Sequence, residues 1–423
     1  LFTARDFELC SYNQTMPRTF ERAGFPATVA PVPYLGLALL SQTGMSFAQQ
    51  GIVVLAVVFA SAYHLTYAQM GLVTTATSLG IVVSLSFMGA VVDRAGPRAV
   101  LFVGAVLMAG MSGSLLAIRT FATLLPLLFI LGGTLAIAPP CGQKAIFTAF
   151  ADRPRGLVMG IRQTGVPIGA AIAAWVLPGF AARHGLHAVY AIFAIELLIA
   201  GWLFASVIPR AAKRDRATGR TRMKGMWRHL ARPALAALLL VSGQYMPLTY
   251  SIADLHAHHD LTLVLAGTAL AVNQLAGAAG RIVLGQLSDR IGGRRTPVIS
   301  LAAAIGGTAA VVIALLPTHV PLLLLFLLWG VLGFGAVGWN ALLLTWAGES
   351  VPATHSAFAM SLTGAVVFLG SALFPPLFGL LIDATHGFAA AWWTLAATLF
   401  VAAAATWLSG RRPDARIPDV PRM

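Results

Sequence analysis

Acid is scarce in this chain. Its 423 residues hold 14 Asp plus Glu against 28 Lys plus Arg, and charged residues of both signs make up 10% of the total. A soluble domain carries about 25% charged residues, so an ordinary water-facing surface is excluded. Cysteine is scarcer still: Cys10 and Cys141 are too few and too ill-placed for a disulfide framework. There is no nucleotide-binding loop, no metal-ligand set and no nucleophile–base constellation. ATP drive and catalysis therefore have no support, and neither an enzyme nor a cofactor is expected. Residues 1–28 are polar and carry Arg5, Asp6, Glu8, Arg18, Glu21 and Arg22, so no cleavable signal peptide is expected.

What is abundant is apolar sequence, at 58%. It comes in runs near twenty residues long, each enough to cross about 30 Å of hydrocarbon. Twelve such spans are expected. The first six fall near 33–58, 66–91, 97–117, 122–147, 157–181 and 187–207, and the second six near 233–255, 261–287, 296–316, 320–346, 356–382 and 387–409. The net charge of +14 invites a nucleic-acid reading. Its placement argues otherwise, because the basic residues flank apolar runs on one side.

One stretch organises the rest. Gly89-Ala90-Val91-Val92-Asp93-Arg94-Ala95-Gly96-Pro97-Arg98 returns as Gly285-Gln286-Leu287-Ser288-Asp289-Arg290-Ile291-Gly292-Gly293-Arg294, both reading G-x-x-x-D-R-x-G-x-R. The two aspartates lie 196 positions apart, close to half the chain, so the sequence looks like one unit written twice. This loop resembles the signature between the second and third helices of the major facilitator superfamily, with its echo between helices eight and nine. The resemblance covers about residues 33–410. It implies an all-α integral membrane protein with twelve transmembrane helices in two pseudo-symmetric six-helix bundles. The expected parts are an N-terminal tail 1–32, bundles 33–208 and 233–410, a basic linker 209–232 and a C-terminal tail 411–423. A monomer that sits in membrane lipid and moves a small-molecule substrate is expected, with protons as a candidate second substrate.

Orientation follows from Lys and Arg. An even number of spans puts both termini on one side. The loops at Arg94/Arg98, Arg153/Arg155 and Arg290/Arg294/Arg295, the linker and both tails are basic, whereas the opposite loops hold only Arg119 and Arg183. The basic side is expected to be cytoplasmic, in a bacterial-type inner membrane. The linker either grips anionic lipid heads or is a solvated connector. On the opposite side, His256, His258 and His259 with Asp254 and Asp260 could bind a metal or sense pH. Loop histidines usually do neither.

Carriers built from repeats hold substrate near the midplane between their halves. Polar side chains at that depth are therefore the candidates. Gln42, Ser46 and Gln49 share one face of the first span, while Gln244 and Tyr245 lie in the seventh and Asn273, Gln274 and Arg281 in the eighth. The fifth span reads Gly160-Ile161-Arg162-Gln163-Thr164-Gly165-Val166-Pro167-Ile168-Gly169. It partly resembles the glycine–proline motif of superfamily antiporters, with a different glycine spacing. Arg162 either clamps an anionic oxygen by paired hydrogen bonds or snorkels to the interface. Lys144 and Arg281 lie at similar depths, and three cations on one vestibule favour an anionic substrate. Glu196, in the sixth span, either carries a coupling proton or bonds a neighbouring helix in neutral form.

By resemblance, Asp93, Arg94, Arg98, Asp289, Arg290 and Arg294 are gate residues. Asp93 would meet the start of the eleventh helix, with Glu349 as a partner for the second loop. The expected function is secondary active transport of a small organic or inorganic anion by alternating access, with proton symport or exchange. The alternatives are a proton-coupled exporter of hydrophobic, drug-like compounds and a transporter-like membrane sensor.

Overall fold

The computed structural model describes residues 31–150, 155–209, 227–352 and 355–411. Most of the expected N-terminal tail, including Cys10, most of the basic linker and most of the C-terminal tail lie outside these residues. Among the described residues the elements are helices. The first span is Pro31–Val54, continued by Ala56–Tyr63 across a 42° bend. The second is Tyr67–Ala95 and the third Pro97–Ser114, closed by a short turn at Leu115–Ala117. The fourth is Phe121–Leu135 continued by Ala138–Ala149. The fifth and sixth are the two arms of Arg155–Val207, divided at Gly185, where φ is 77° and ψ 168°. Trp227–His258, Leu263–Arg290 and Arg295–Ala314 follow as seventh to ninth. The tenth is Leu322–Gly338 continued by Asn340–Glu349, the eleventh Ser356–Thr385 and the twelfth Ala389–Arg411. Ten described helices are long and apolar enough to cross a membrane. The bent first pair makes an eleventh and the division at Gly185 makes twelve.

Local chemistry sets the ends. Thr66 Oγ1 accepts the Gln69 N–H at 3.3 Å while Gln69 Oε1 accepts the Thr66 N–H at 3.0 Å, a capping box that starts the second span. That span stops at Gly96, whose φ of 83° a side-chain-bearing residue resists. Pro97 then opens the third span at once, so one residue turns the chain. Gly292 and Gly293, both with positive φ, do the same work in the repeat.

The packing repeats as well. The second span packs on the fourth and the eighth on the tenth, while the ninth lies on the twelfth and the seventh on the eleventh. Phe102 stacks edge-on to Trp202, which seats the third span on the sixth. Gly80 and Gly132 let the second and fourth spans touch backbone to backbone, against the carbonyls of Phe129 and Thr77. Gly280 and Gly333 repeat that contact between the eighth and tenth, against Phe334 and Asn273. Two large apolar cores result among the described residues, beside a small cluster of Leu230, Val351 and Ala359. One is made of residues between 34 and 208. The other lies mainly between 236 and 403, and Val53, Val54, Met70, Ala170 and Ala174 of the first half join it.

Candidate functional site

The two halves meet along the second and eleventh spans and along the fifth and eighth. At the end away from the signature loops the seam is closed by directed bonds. Asp383, on the eleventh span, accepts the backbone N–H groups of Tyr67 and Ala68, both at 2.9 Å. These are the first residues of the second span, where free N–H groups and the helix dipole favour a negative charge. The carboxylate of one half thus caps a helix of the other. Beside it, the Tyr250 hydroxyl lies 2.9 Å from the Tyr67 carbonyl and 2.6 Å from that of Pro375, and its proton serves the two. Tyr67 packs edge-on to Phe388, with ring centroids 5.0 Å apart. Gly71 lies directly beneath the Pro375–Pro376 backbone, and Gly267 beneath the Ala174 carbonyl, so neither position has room for a side chain.

Toward mid-depth the seam becomes a polar layer. Thr75 donates to the Ala372 carbonyl at 2.6 Å, Ser371 to Ser78 at 2.9 Å, and Thr74 lies 3.5 Å from Thr249. Tyr245 is buried in this layer, with its hydroxyl flanked by Gln50 and Ser371 and Arg281 nearby. The amide oxygen of Gln244 is buried without a hydrogen-bond partner.

Two guanidinium groups lie below the layer. Arg281, 6% exposed, donates across the seam to the Gln163 carbonyl at 2.9 Å. Arg162, the residue before it, is 3% exposed and lies over Gly142, with Cys141 and Tyr34 close by. The Nε of each is buried and unpartnered. Among the described residues no ion pair joins either to a carboxylate. A buried charge without a counter-charge is costly, and an anion bound here would supply one.

A family model, Major Facilitator Superfamily, matches residues 38–375. The chain belongs to the major facilitator superfamily. It is therefore a multi-pass membrane protein. It is similar to uncharacterized MFS-type transporters from two strains of Mycobacterium tuberculosis, CDC 1551 / Oshkosh and H37Rv, each 32% identical over 248 residues. These matches cover 56% of this chain and 54% of the relatives, so the chain spans about half the length of the curated proteins it matches. Among solved structures, a bacterial homologue of the human lysosomal transporter Spinster, inward-facing and occupied, matches at 17% identity with a TM-score of 0.73. That match covers 89% of this chain and 96% of the other. A nucleoside transporter, NupG, matches at 14% identity and the same TM-score of 0.73, covering 90% of this chain and all of that one. At these identities the likeness is one of fold.

The superfamily signature loops sit at the other end of the seam, and there the charges bond within their own halves. Asp93, its side chain 73% exposed, pairs with Lys144 at 2.7 Å. Among the described residues Asp93 is thus joined to the fourth span rather than to the eleventh, and Lys144 is held at the loop end. Arg98 donates to the Ile208 carbonyl at 3.1 Å and lies over the Phe102 ring, while Arg94 is exposed. In the repeat, Asp289 and Glu349 share Arg295, a partner not singled out in the sequence, while Arg290 and Arg294 are exposed. Glycines on the four seam helices report the same contrast. Gly71, Gly179, Gly267 and Gly379 are pressed against the opposite half, whereas Gly89, Gly160, Gly285 and Gly364, near the loops, face open space.

The remaining expected site residues divide. Ser46 donates to the Val166 carbonyl at 2.9 Å and Gln42 packs on Gly165, so this face of the first span is joined to the fifth. Gln49 is half-buried. Asn273 is fully buried and donates to the Trp329 carbonyl at 3.0 Å, while Gln274 donates to Asn273 at 3.1 Å. Asn273 braces the eighth span to the tenth, and Gln274 orients Asn273. Glu196 lies on the outer side of the first span, against Gly44, away from the polar layer. The histidine group at the far end is locally occupied. His256 faces the Leu261 carbonyl, His259 that of Thr318, and His258 pairs with Asp254 at 3.3 Å. The sequence reading passed over Gln50, Ser371 and Asp383. Gln50 was within reach of it, since Ser46 and Gln50 are one helical turn apart.

Proposed function

We propose that the chain carries a small organic or inorganic anion by alternating access, with its signature loops and both termini on the cytoplasmic side. The observation behind the substrate class is the pair of buried guanidinium groups, one from each half, without a carboxylate between them. A carboxylate- or phosphate-like oxygen pair fits a guanidinium through two parallel hydrogen bonds. An anion that engages Arg162 and Arg281 together binds more tightly when the halves close around it. Such a difference in affinity between states is what a ligand needs to shift a conformational equilibrium.

The orientation rests on the basic loops, since positive residues stay on the cytoplasmic side. On that assignment the sealed end is external and the loop end is open to the cytoplasm. Bringing an anion into a negatively charged cell costs about 2.3 kcal/mol per charge for each 100 mV. Proton symport or exchange for another anion removes that cost. Glu196 is not part of this scheme, because it faces away from the polar layer. The exporter alternative would be favoured by a carboxylate within that layer.

The test is flux in liposomes. A panel of small anions should include at least one that the protein moves, and Arg162→Ala should reduce that flux by roughly a hundredfold or more, as for truncation of a buried charge partner. Neutral or cationic solutes carried equally well by the variant would overturn the anion assignment.

A further inference from the structure

Away from the seam, a cavity of about 470 Å³ opens sideways between the first and sixth spans. Its walls are apolar, with Leu37, Leu40, Ile192, Ile195, Ile199 and Leu203. Leu40, Ile195, Ile199 and Leu203 are among the most exposed apolar side chains of the molecule. They lie in the interior of membrane-crossing helices, so the groove opens onto acyl chains rather than water. The polar residues lining it are Ser41 and Glu196. Both carboxyl oxygens of Glu196 are sealed from solvent and have no hydrogen-bond partner. The carboxyl rests on Gly44, where any side chain would collide with it.

A carboxyl left without a partner in hydrocarbon is an unfavourable arrangement. A plain acyl chain can fill the groove and leaves that group unsatisfied. An occupant that carries N–H donors satisfies it as well. Glu196 is itself one of the lining residues, so its side chain stands at the wall of the groove. Neither lysine nor arginine lines the groove to compete for it. We propose that this groove is a second ligand site, for a single-chain amphiphilic amine that reaches it from the bilayer. The chain lies along the leucine and isoleucine wall and the amine donates to Glu196. The site is independent of the anion assignment, since it lies on the lipid side of one half.

Photolabelling of the full chain in lipid nanodiscs tests this. The probes are dodecylamine, lauric acid and dodecane, each carrying a diazirine on its chain, with labelled residues mapped by mass spectrometry. The amine probe should label residues 37–41 and 192–203, should be displaced by plain dodecylamine, and should exceed the other two probes several-fold. Glu196→Gln keeps the shape of the side chain. It should lower amine labelling at least tenfold and leave dodecane labelling unchanged, which also shows that the groove still forms. Equal labelling by all three probes, or undiminished amine labelling in Glu196→Gln, would overturn the proposal. Loss of anion flux in Arg162→Ala has no bearing on this labelling, so the two assignments fail separately.

Discussion

The two ends of the seam are built from the same helices and behave oppositely. At the far end a carboxylate of one half caps a helix of the other, a tyrosine bridges two backbone carbonyls, and glycines admit bare backbone contact. At the loop end the conspicuous charges are spent inside each half: Asp93 on Lys144, Asp289 and Glu349 on Arg295. In the proposed alternating-access scheme this contrast is the source of bistability. The far-end bonds hold only while the seam is shut. The loop-end charges have local partners to hold them while it is open, and exchanging those partners for cross-half ones is how the loop end would close. Each end therefore stores the contacts that the other must release.

The largest expected effect comes from filling the far-end seam. Gly71→Leu cannot seat beneath the Pro375–Pro376 backbone. Overpacking of this kind costs about 1–3 kcal/mol, enough to shift the population toward a far-end-open state by roughly five- to 150-fold. Gly89→Leu, in open space at the loop end, should leave the far end as closed as in the parent. Thiol accessibility of a single cysteine at residue 68, with Cys10 and Cys141 replaced, reads both. Equal accessibility in the two variants would erase the contrast between the ends.

Next in size is Asp383→Asn. The amide keeps one acceptor oxygen and loses the charge, so one bond to the second span disappears and the other is no longer charge-assisted. Such bonds contribute about 1.5–3 kcal/mol, and the same accessibility should rise roughly tenfold or more. No change would mean that Asp383 merely lies near the helix start. The smallest effect is expected from Asp93→Asn, where an exposed pair is lost and the closed loop end forms less readily. Surface pairs contribute about 0–1 kcal/mol, so turnover should fall only a few-fold with substrate affinity unchanged. Normal turnover with raised KM would contradict a gating role.

The sequence announced the spans and the duplicated loops, because each is local or repeated. It also pointed to Arg162 and Arg281, since a guanidinium within an apolar run stands out. It hid Asp383. An acid near the outer end of a span looks like an ordinary interfacial residue, and its partners lie 315 and 316 positions away. Gln49 was favoured over Gln50 because one step along a helix turns the side chain by about 100°, and only the packed structure says which of two neighbours faces the seam. Asn273 was read as cavity lining because amides need partners. The partner was the Trp329 carbonyl, reachable because Gly333 lets the two helices close up. Lys144 had the depth expected of a vestibule cation, but it pairs with Asp93 at the inner end of the second span.

The claim on which the account depends is that the two ends open and close in opposition. Electron–electron distance measurements between spin labels test it in the liposome-embedded protein, one pair at residues 119 and 319 of the far end and the other at 99 and 291 of the loop end. Adding a transported anion should shorten the loop-end distance while lengthening the far-end one, and Arg162→Ala should abolish both shifts. Two distances that change together, or a far-end distance that never lengthens under turnover, would contradict it.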